Sequence, residues 1–429
     1  MKEKRTWILD PSTLMIVTIA LLGVVIYAGN VFTVNTSKIT DIICLASFTF
    51  MPISGIVCAI CFLIPLHSGI TGLYIYGYAV AMILFKSKNL KAKVVIPVLF
   101  VIMYEMIMML FAGASQFNQI IVYALAVFLL LYIMNSDEIN YKASCISYIC
   151  GAVVLLLCIF TTAVQNNSLA MVLSGAVRIG EYEGAENLGQ VAVVTENANA
   201  MAYYALVGIA MAFSMLKNAQ RREKIFLITS MVLLTIISLF TVSRTFVLVL
   251  VGLVLLVVFS DFDFKKNGNI LIIIGLVLAV VIPILQYKTQ IFDAFIERFE
   301  DDSMATGTGR TEIFLEYMDF LFKNPVRFIF GTGSVFYKQV CNLLHSMHNG
   351  TQQILVSYGI LGFIPVISVL AAPVVDFVKK NGFKLTKLLP VLAVIIFTQT
   401  IQFLNPNNLM LPYAIAVLCM KIPDMEVSE

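Results

Sequence analysis

The sequence predicts an all-α integral membrane protein, threaded through a bilayer as one polytopic domain over residues 1–429, and three observations predict it. Of the 429 residues 60% are hydrophobic and only 12% charged, about half the charge of an ordinary soluble domain. Mean hydropathy is +0.94. Apolar runs of about 17 to 25 residues recur, each long enough for a hydrocarbon core roughly 30 Å thick. In lipid the backbone must satisfy its own hydrogen bonds, so these runs are expected to be helices.

Taken in order, the spans fall near Thr13–Val31, Ile39–Phe50, Ile53–Leu66, Gly69–Phe85, Val94–Gly113, Asn118–Met134 and Ser144–Ala163. They continue near Ala198–Leu216, Ile225–Phe240, Thr245–Phe259, Ile270–Gln286, Gln352–Val375, Leu388–Phe403 and Leu409–Met420. The basic N-terminus, Met1 to Asp10, has no small-residue cleavage site and reads as a retained cytoplasmic tail. Met51-Pro52 interrupts the second run, because proline removes a backbone donor and clashes with the preceding turn. Residues 39–86 therefore hold the least certain spans, and the count ranges from 12 to 14.

Charge decides between these counts. The basic clusters are Lys2/Lys4/Arg5, Lys86/Lys88/Lys91/Lys93, Lys217/Arg221/Arg222/Lys224, Lys265/Lys266 and Lys379/Lys380/Lys384/Lys387. Short cytoplasmic loops carry the excess of Lys and Arg. All five clusters share a side only if an even number of crossings separates Arg5 from Lys86. Splitting the chain at Pro52 meets this condition, makes about 14 crossings and leaves both termini in the cytoplasm. Two long segments then lie outside, residues 164–197 and 287–351. The second is far longer than a connection requires, and long structured loops are usually functional. Within it Phe292–Phe299 and Glu312–Phe322 have helical spacing, so a small folded cap is expected.

The net charge of +3 is small and implies no nucleic-acid partner. Most of the eight cysteines lie inside apolar runs, including Cys58-x-x-Cys61, and read as small buried hydrophobes rather than a redox pair. Cys341 alone falls in a long polar loop. Neither a disulfide framework nor a convincing metal-ligand cluster is implied; Glu300-Asp301-Asp302 reads better as a solvated acidic turn than as a cation site.

Several residues can carry chemistry. Arg244, in Thr241-Val242-Ser243-Arg244-Thr245, either snorkels toward headgroups or faces a ligand. Arg310 ends Thr306-Gly307-Thr308-Gly309-Arg310 just before a helical stretch, where a helix start offers its positive end to an anion. Arg178 lies among Glu181, Glu183, Glu186 and Glu196. Two of the three histidines, His345 and His348, sit in the large loop. Histidine exchanges a proton readily near neutral pH, although a solvated surface histidine is equally compatible. Glu105 lies within a span, either functional or a hydrogen-bonded packing residue. Arginine forks bind diphosphate and an imidazole can take a hydroxyl proton. The set therefore suits a reaction on a lipid-linked diphosphate.

The order of motifs adds to this. Ser243-Arg244 is followed by Gly309-Arg310, Asn324-Pro325, Gly331-Thr332-Gly333, His348-Asn349 and Tyr358-Gly359-Ile360-Leu361-Gly362. This series resembles the bacterial O-antigen polymerase/ligase family over about Arg178 to Leu370. Asn197-Ala198-Asn199-Ala200 resembles the family's P-N-x-x-A element, with alanine in place of proline.

The resemblance implies a GT-C-like, inverting membrane glycosyltransferase without a nucleotide sugar, cofactor or metal. Its donor would be a glycan on undecaprenyl diphosphate, used at the outer face of the cytoplasmic membrane. His348, Arg310 and Arg244 are then the expected catalytic residues, with Arg178, Asn199, Asn349, Gly331 and Gly333 expected to bind substrate. Partners would be the lipid bilayer and lipid-linked glycans, with a chain-length regulator and a flippase as candidates. A polymerase extends a lipid-linked repeat unit, whereas a ligase delivers the glycan to lipid A core or protein. A lipid-linked oligosaccharide flippase is the competing reading from another class; intramembrane charge pairs would mark it, and Glu105 alone supports it poorly.

Overall fold

The computed structural model describes residues 11–66, 72–173, 177–180, 198–259, 309–404 and 409–424. Secondary structure among them is helical throughout. The first part of the chain forms α1 (Pro11–Val31), α2 (Ser37–Phe50), α3 (Ile53–Leu63), α4 (Leu73–Lys86), α5 (Ala92–Ala112), α6 (Phe117–Asn135), α7 (Tyr141–Asn166) and α8 (Leu169–Leu173). The middle forms α9 (Ala198–Leu216), α10 (Arg221–Leu239) and α11 (Arg244–Phe259). Then come α12 (Arg310–Lys323), α13 (Pro325–Phe330), α14 (Tyr337–Cys341), α15 (Gly350–Asn381), α16 (Leu385–Phe397) and α17 (Leu411–Met420). The expected span Ile270–Gln286, the expected helix Phe292–Phe299, the clusters at residues 2–5 and 265–266, and Glu300-Asp301-Asp302 lie outside the described residues.

Each of the other expected spans has a helix in its place. Six are long and apolar enough to cross a membrane: α1, α5, α6, α7, α9 and α15. These are the helices of a helical membrane protein. Their burial grades from the centre outward. Most of α9 is buried, and it packs against α7, α10, α16 and α17. By contrast α5 turns Ile96, Leu99, Phe100, Met103 and Leu110 outward, the arrangement expected where lipid rather than water is the solvent.

Helices α3 and α17 fall short of the expected spans Ile53–Leu66 and Leu409–Met420. The eleven residues of α3 and the ten of α17 rise only about 15 to 17 Å, and both are buried along their length. Pro52 breaks the chain before α3, as its chemistry requires, and the Lys86 ammonium donates to the carbonyls of Phe48, Thr49 and Met51 at 2.6–2.9 Å. Before α17 the irregular backbone is completed by the buried amide of Gln353. Its oxygen accepts from Phe403 and Leu404 N–H, and its nitrogen donates to the Leu404 carbonyl. Such non-helical backbone is tolerated at depth where protein supplies the missing partners. Hydropathy registers composition and not where a helix stops. Close packing brings α3 against α7, where a Cβ on Gly151 would lie 2.0 Å from the Phe62 carbonyl oxygen.

Polar contacts define the two ends of the bundle. At one end Lys91 pairs with Asp137, Lys142 with Glu223, and Lys384 with Asp424. Asn218 also donates to Asp424, and Lys421 donates to the Met134 carbonyl. These contacts join the ends of α6, α9, α15 and α17 to the starts of α5, α7, α10 and α16. Thr18 on α1 bonds Ser47 on α2 at 3.0 Å, so those helices run antiparallel and the end of α2, held by Lys86, lies beside the start of α1. The described basic clusters thus gather at one end. At the other end, residues 309–349 form a small cap with a core of its own: Tyr317, Leu321, Tyr337, Cys341 and Met347, joined by Val356 of α15. Helix α12 matches the helical spacing expected there. All eight cysteines are free.

Candidate functional site

The site begins at the tight turn between α10 and α11. Val242 adopts φ +46°, a left-handed conformation in which a β-branched side chain is strained; such residues cost about 1 to 3 kcal/mol each. The turn presents its carbonyls to a neighbouring segment. Phe240 O accepts from Ile179 N–H at 3.1 Å, and Thr241 O accepts from Arg178 Nε at 2.5 Å. Ser243 caps α11 by accepting from Phe246 N–H at 3.4 Å and donates to Asn199 Oδ1 at 2.8 Å. The same oxygen accepts from Arg178 Nη2 at 3.4 Å. Asn199 therefore knits Arg178 and the Ser243-Arg244 element into one unit.

The cap supplies the other half. Gly309, at φ +73°, leads into α12, whose first residue is Arg310. Gln352 Nε2 donates to Phe314 O at 2.7 Å, and the Tyr317 hydroxyl donates to His345 O at 2.7 Å. These two bonds fix α12 and the His345–His348 segment to the start of α15. Asn349 is the N-cap of α15, its Oδ1 accepting from Gln352 N–H at 2.9 Å, while its Nδ2 donates to Gln399 O.

The charges of the two halves act on each other. Burial, then the nearby Arg244 and Arg178 charges, push the Arg310 pKa down from its ordinary value. Burial, then Arg310, His345 and Lys338, push the His348 pKa down as well. Both effects disfavour the protonated form, so His348 is neutral, and able to accept a proton, to lower pH than an ordinary histidine. His345 is exposed. Four helices, α9, α11, α12 and α15, begin at this end of the bundle, and helix starts favour anions. Arg310 joins the two halves: its charge acts on His348, and the Arg244 and Arg178 charges act on it in turn. Chemically, this arrangement can hold an anion and take a proton beside it.

Most of the residues expected from the sequence are brought together here: Arg178, Asn199, Arg244, Arg310, His348 and Asn349. Gly331 and Gly333 are not. Both are buried in a joint against α15, where a Cβ on Gly331 would lie 2.3 Å from Ser357 O and one on Gly333 2.9 Å from Glu105 Oε2. That crowding gives both glycines a packing reason. Glu105, left open by the sequence, is fully buried and accepts from Ser334 N–H at 2.7 Å and Val335 N–H at 3.2 Å. Val242, Tyr317 and Gln352 were not legible as contributors. Only Gln352, a polar side chain at the start of an apolar span, left a signal in the sequence. Among the described residues no cluster of three or more His, Cys, Asp or Glu can hold a metal ion.

No protein-family model matches the chain, and no curated protein matches it. The resemblance to the O-antigen polymerase/ligase family therefore rests on motif order alone.

Proposed function

We propose that this protein is a polysaccharide polymerase of the O-antigen type. It transfers a glycan from undecaprenyl diphosphate to a lipid-linked repeat unit at the outer face of the cytoplasmic membrane. On this reading the chain has a GT-C-like architecture, crosses the membrane fourteen times and keeps both termini in the cytoplasm, with the basic end of the bundle inside and the cap outside.

One observation carries the reading. Arg178 and the Ser243-Arg244 element, tied through Asn199, lie close enough to Arg310 to act on it, and Arg310 acts on His348, at the end of the bundle opposite the paired lysines. Arginine forks match diphosphate oxygens, and the helix starts add positive potential where the leaving group sits. His348 takes the proton of the acceptor hydroxyl as its oxygen attacks the anomeric carbon. The bond from that carbon to the diphosphate breaks, and the lipid diphosphate leaves as an anion held by the arginines. Attack opposite the leaving group inverts the anomeric centre. No strong acid is needed, because the leaving group departs already charged.

Reconstituted vesicles supplied with lipid-linked repeat units test this directly. Polymer is expected from the wild-type chain, and single repeats are expected to persist with His348→Ala. Transfer to lipid A core or protein without polymer would replace the polymerase by a ligase. Movement of lipid-linked repeats across the bilayer without any new glycosidic bond would replace it by a flippase.

A further inference from the structure

Helix α15 leaves helical geometry at Gly359, with φ +60° and ψ −176°. Such a break leaves carbonyls on its N-terminal side without their helical partners. The loop at 331–333 supplies new ones. Val356 O accepts from Thr332 N–H at 3.0 Å, and Ser357 O accepts from Gly333 N–H at 2.9 Å and from the Tyr104 hydroxyl at 2.8 Å. Gly331 and Gly359 meet so closely that a Cβ on Gly359 would lie 2.3 Å from Ile329 O.

The chain leaving this loop donates Ser334 and Val335 N–H to Glu105. The loop is therefore clamped between a buried carboxylate on α5 and the break in α15. The Tyr104 hydroxyl reinforces the clamp, its one proton shared between Ser357 O and Phe330 O, which lie 2.8 and 2.6 Å away. Everything downstream as far as His348 is cap, and the cap returns to the bundle at Asn349.

We propose that Glu105 is a positioning residue: its carboxylate latches the loop after Gly333 to α5 and thereby sets where the cap holds His348 and Arg310. The kinetic part of this inference rests on the function proposed above. The geometric part does not. Both oxygens of the Glu105 carboxyl accept from the loop, a pairing an amide cannot reproduce because its nitrogen only donates, and a small misplacement of a reacting group can greatly reduce turnover.

The latch is tested by Glu105→Gln and Glu105→Asp in the full chain, with isotope-labelled histidine followed by NMR through a pH titration. The charges acting on His348 are Arg310, His345 and Lys338, with Arg244 and Arg178 acting on Arg310 in turn. In the wild-type chain His348 is expected to titrate below the ordinary histidine value. In Glu105→Gln a loosened cap exposes His348 and separates it from Arg310, so its midpoint should rise. The acid limb of polymer formation should rise with it, and kcat should fall about tenfold with KM changing less. Glu105→Asp, which keeps a carboxyl on a shorter stem, should show a smaller change in both and carries the test if the glutamine variant does not fold. An unchanged His348 midpoint in folded Glu105→Gln protein, or in Glu105→Asp where only that variant folds, would overturn the positioning role. Absence of polymer from the wild-type chain would overturn the function while leaving the titration to decide the latch.

Discussion

The two ends of the bundle are both rich in positive charge and treat it in opposite ways. At the basic end Lys91, Lys142, Lys384 and Lys387 each meet a carboxylate at 2.5–3.1 Å. Most of these partners are substantially exposed, and such pairs contribute only about 0 to 1 kcal/mol. At the site end Arg310 lies half-buried within reach of two other guanidiniums. Among the described residues no carboxylate forms an ion pair with it or with His348. Repulsion of this kind persists in a fold only where the surrounding structure imposes it, and the strained Val242 turn and the Tyr317 and Gln352 bonds are what impose it here. Charge at one end ties helices together; at the other end Arg310 and His348 carry no such pair among the described residues, as the proposed anion site requires.

That contrast breaks most sharply at His348. His348→Ala should abolish polymer, since a positioned base typically contributes about 10² to 10⁴ in rate, and lipid-linked single repeats should accumulate. His345→Ala, exposed and only three residues away, should be much milder. Chain-length analysis at matched protein level distinguishes them, and a severe defect from His345→Ala alone would move the base there.

Next in size come the arginines. Arg244→Lys and Arg310→Lys keep the charge but lose the planar fork, and turnover should fall roughly tenfold to a hundredfold with the protein still inserted and folded. Normal polymer from both would return these residues to snorkelling.

A subtler consequence concerns pH. The Arg310 charge disfavours protonated His348, so Arg310→Gln should raise the His348 pKa. The neutral base would then require higher pH, and the acid limb of the residual activity should shift upward. A downward or absent shift would separate the two residues in space.

The smallest effects belong to the helix ends themselves. Ser243→Ala removes the cap of α11 and the bond to Asn199, and should cost about 1 kcal/mol of stability with a measurable loss of turnover. At the opposite end Glu223→Gln breaks the pair with Lys142 and should cost no more than about 1 kcal/mol with polymer unchanged. Reporter fusions after Lys88 and Arg222 should mark the cytoplasm and one after Gly113 the outside; an external Lys88 would defeat the shared-side argument and the count of fourteen.

By itself the sequence determined the class of protein, the order of its helices and the residues worth watching. Hydropathy is a local property of composition, so long apolar helices such as α7 and α9 could be read directly, as could the proline break before α3 and the helical spacing of α12. The basic clusters were legible for the same reason. Only the tertiary structure decided that α3 and α17 are buried along their length, and that Lys86 holds the end of α2 and Gln353 the backbone at Phe403 and Leu404 from distant elements. It also decided the fate of two expected contacts: Gly331 and Gly333 serve the joint with α15, and Glu105 reaches a loop 229 residues away in sequence. Hydrogen bonds and charge repulsion depend on distance in space, which a linear pattern does not encode. That Arg178 meets the Ser243-Arg244 turn through Asn199, and that Arg310 acts on His348, are properties of the folded chain.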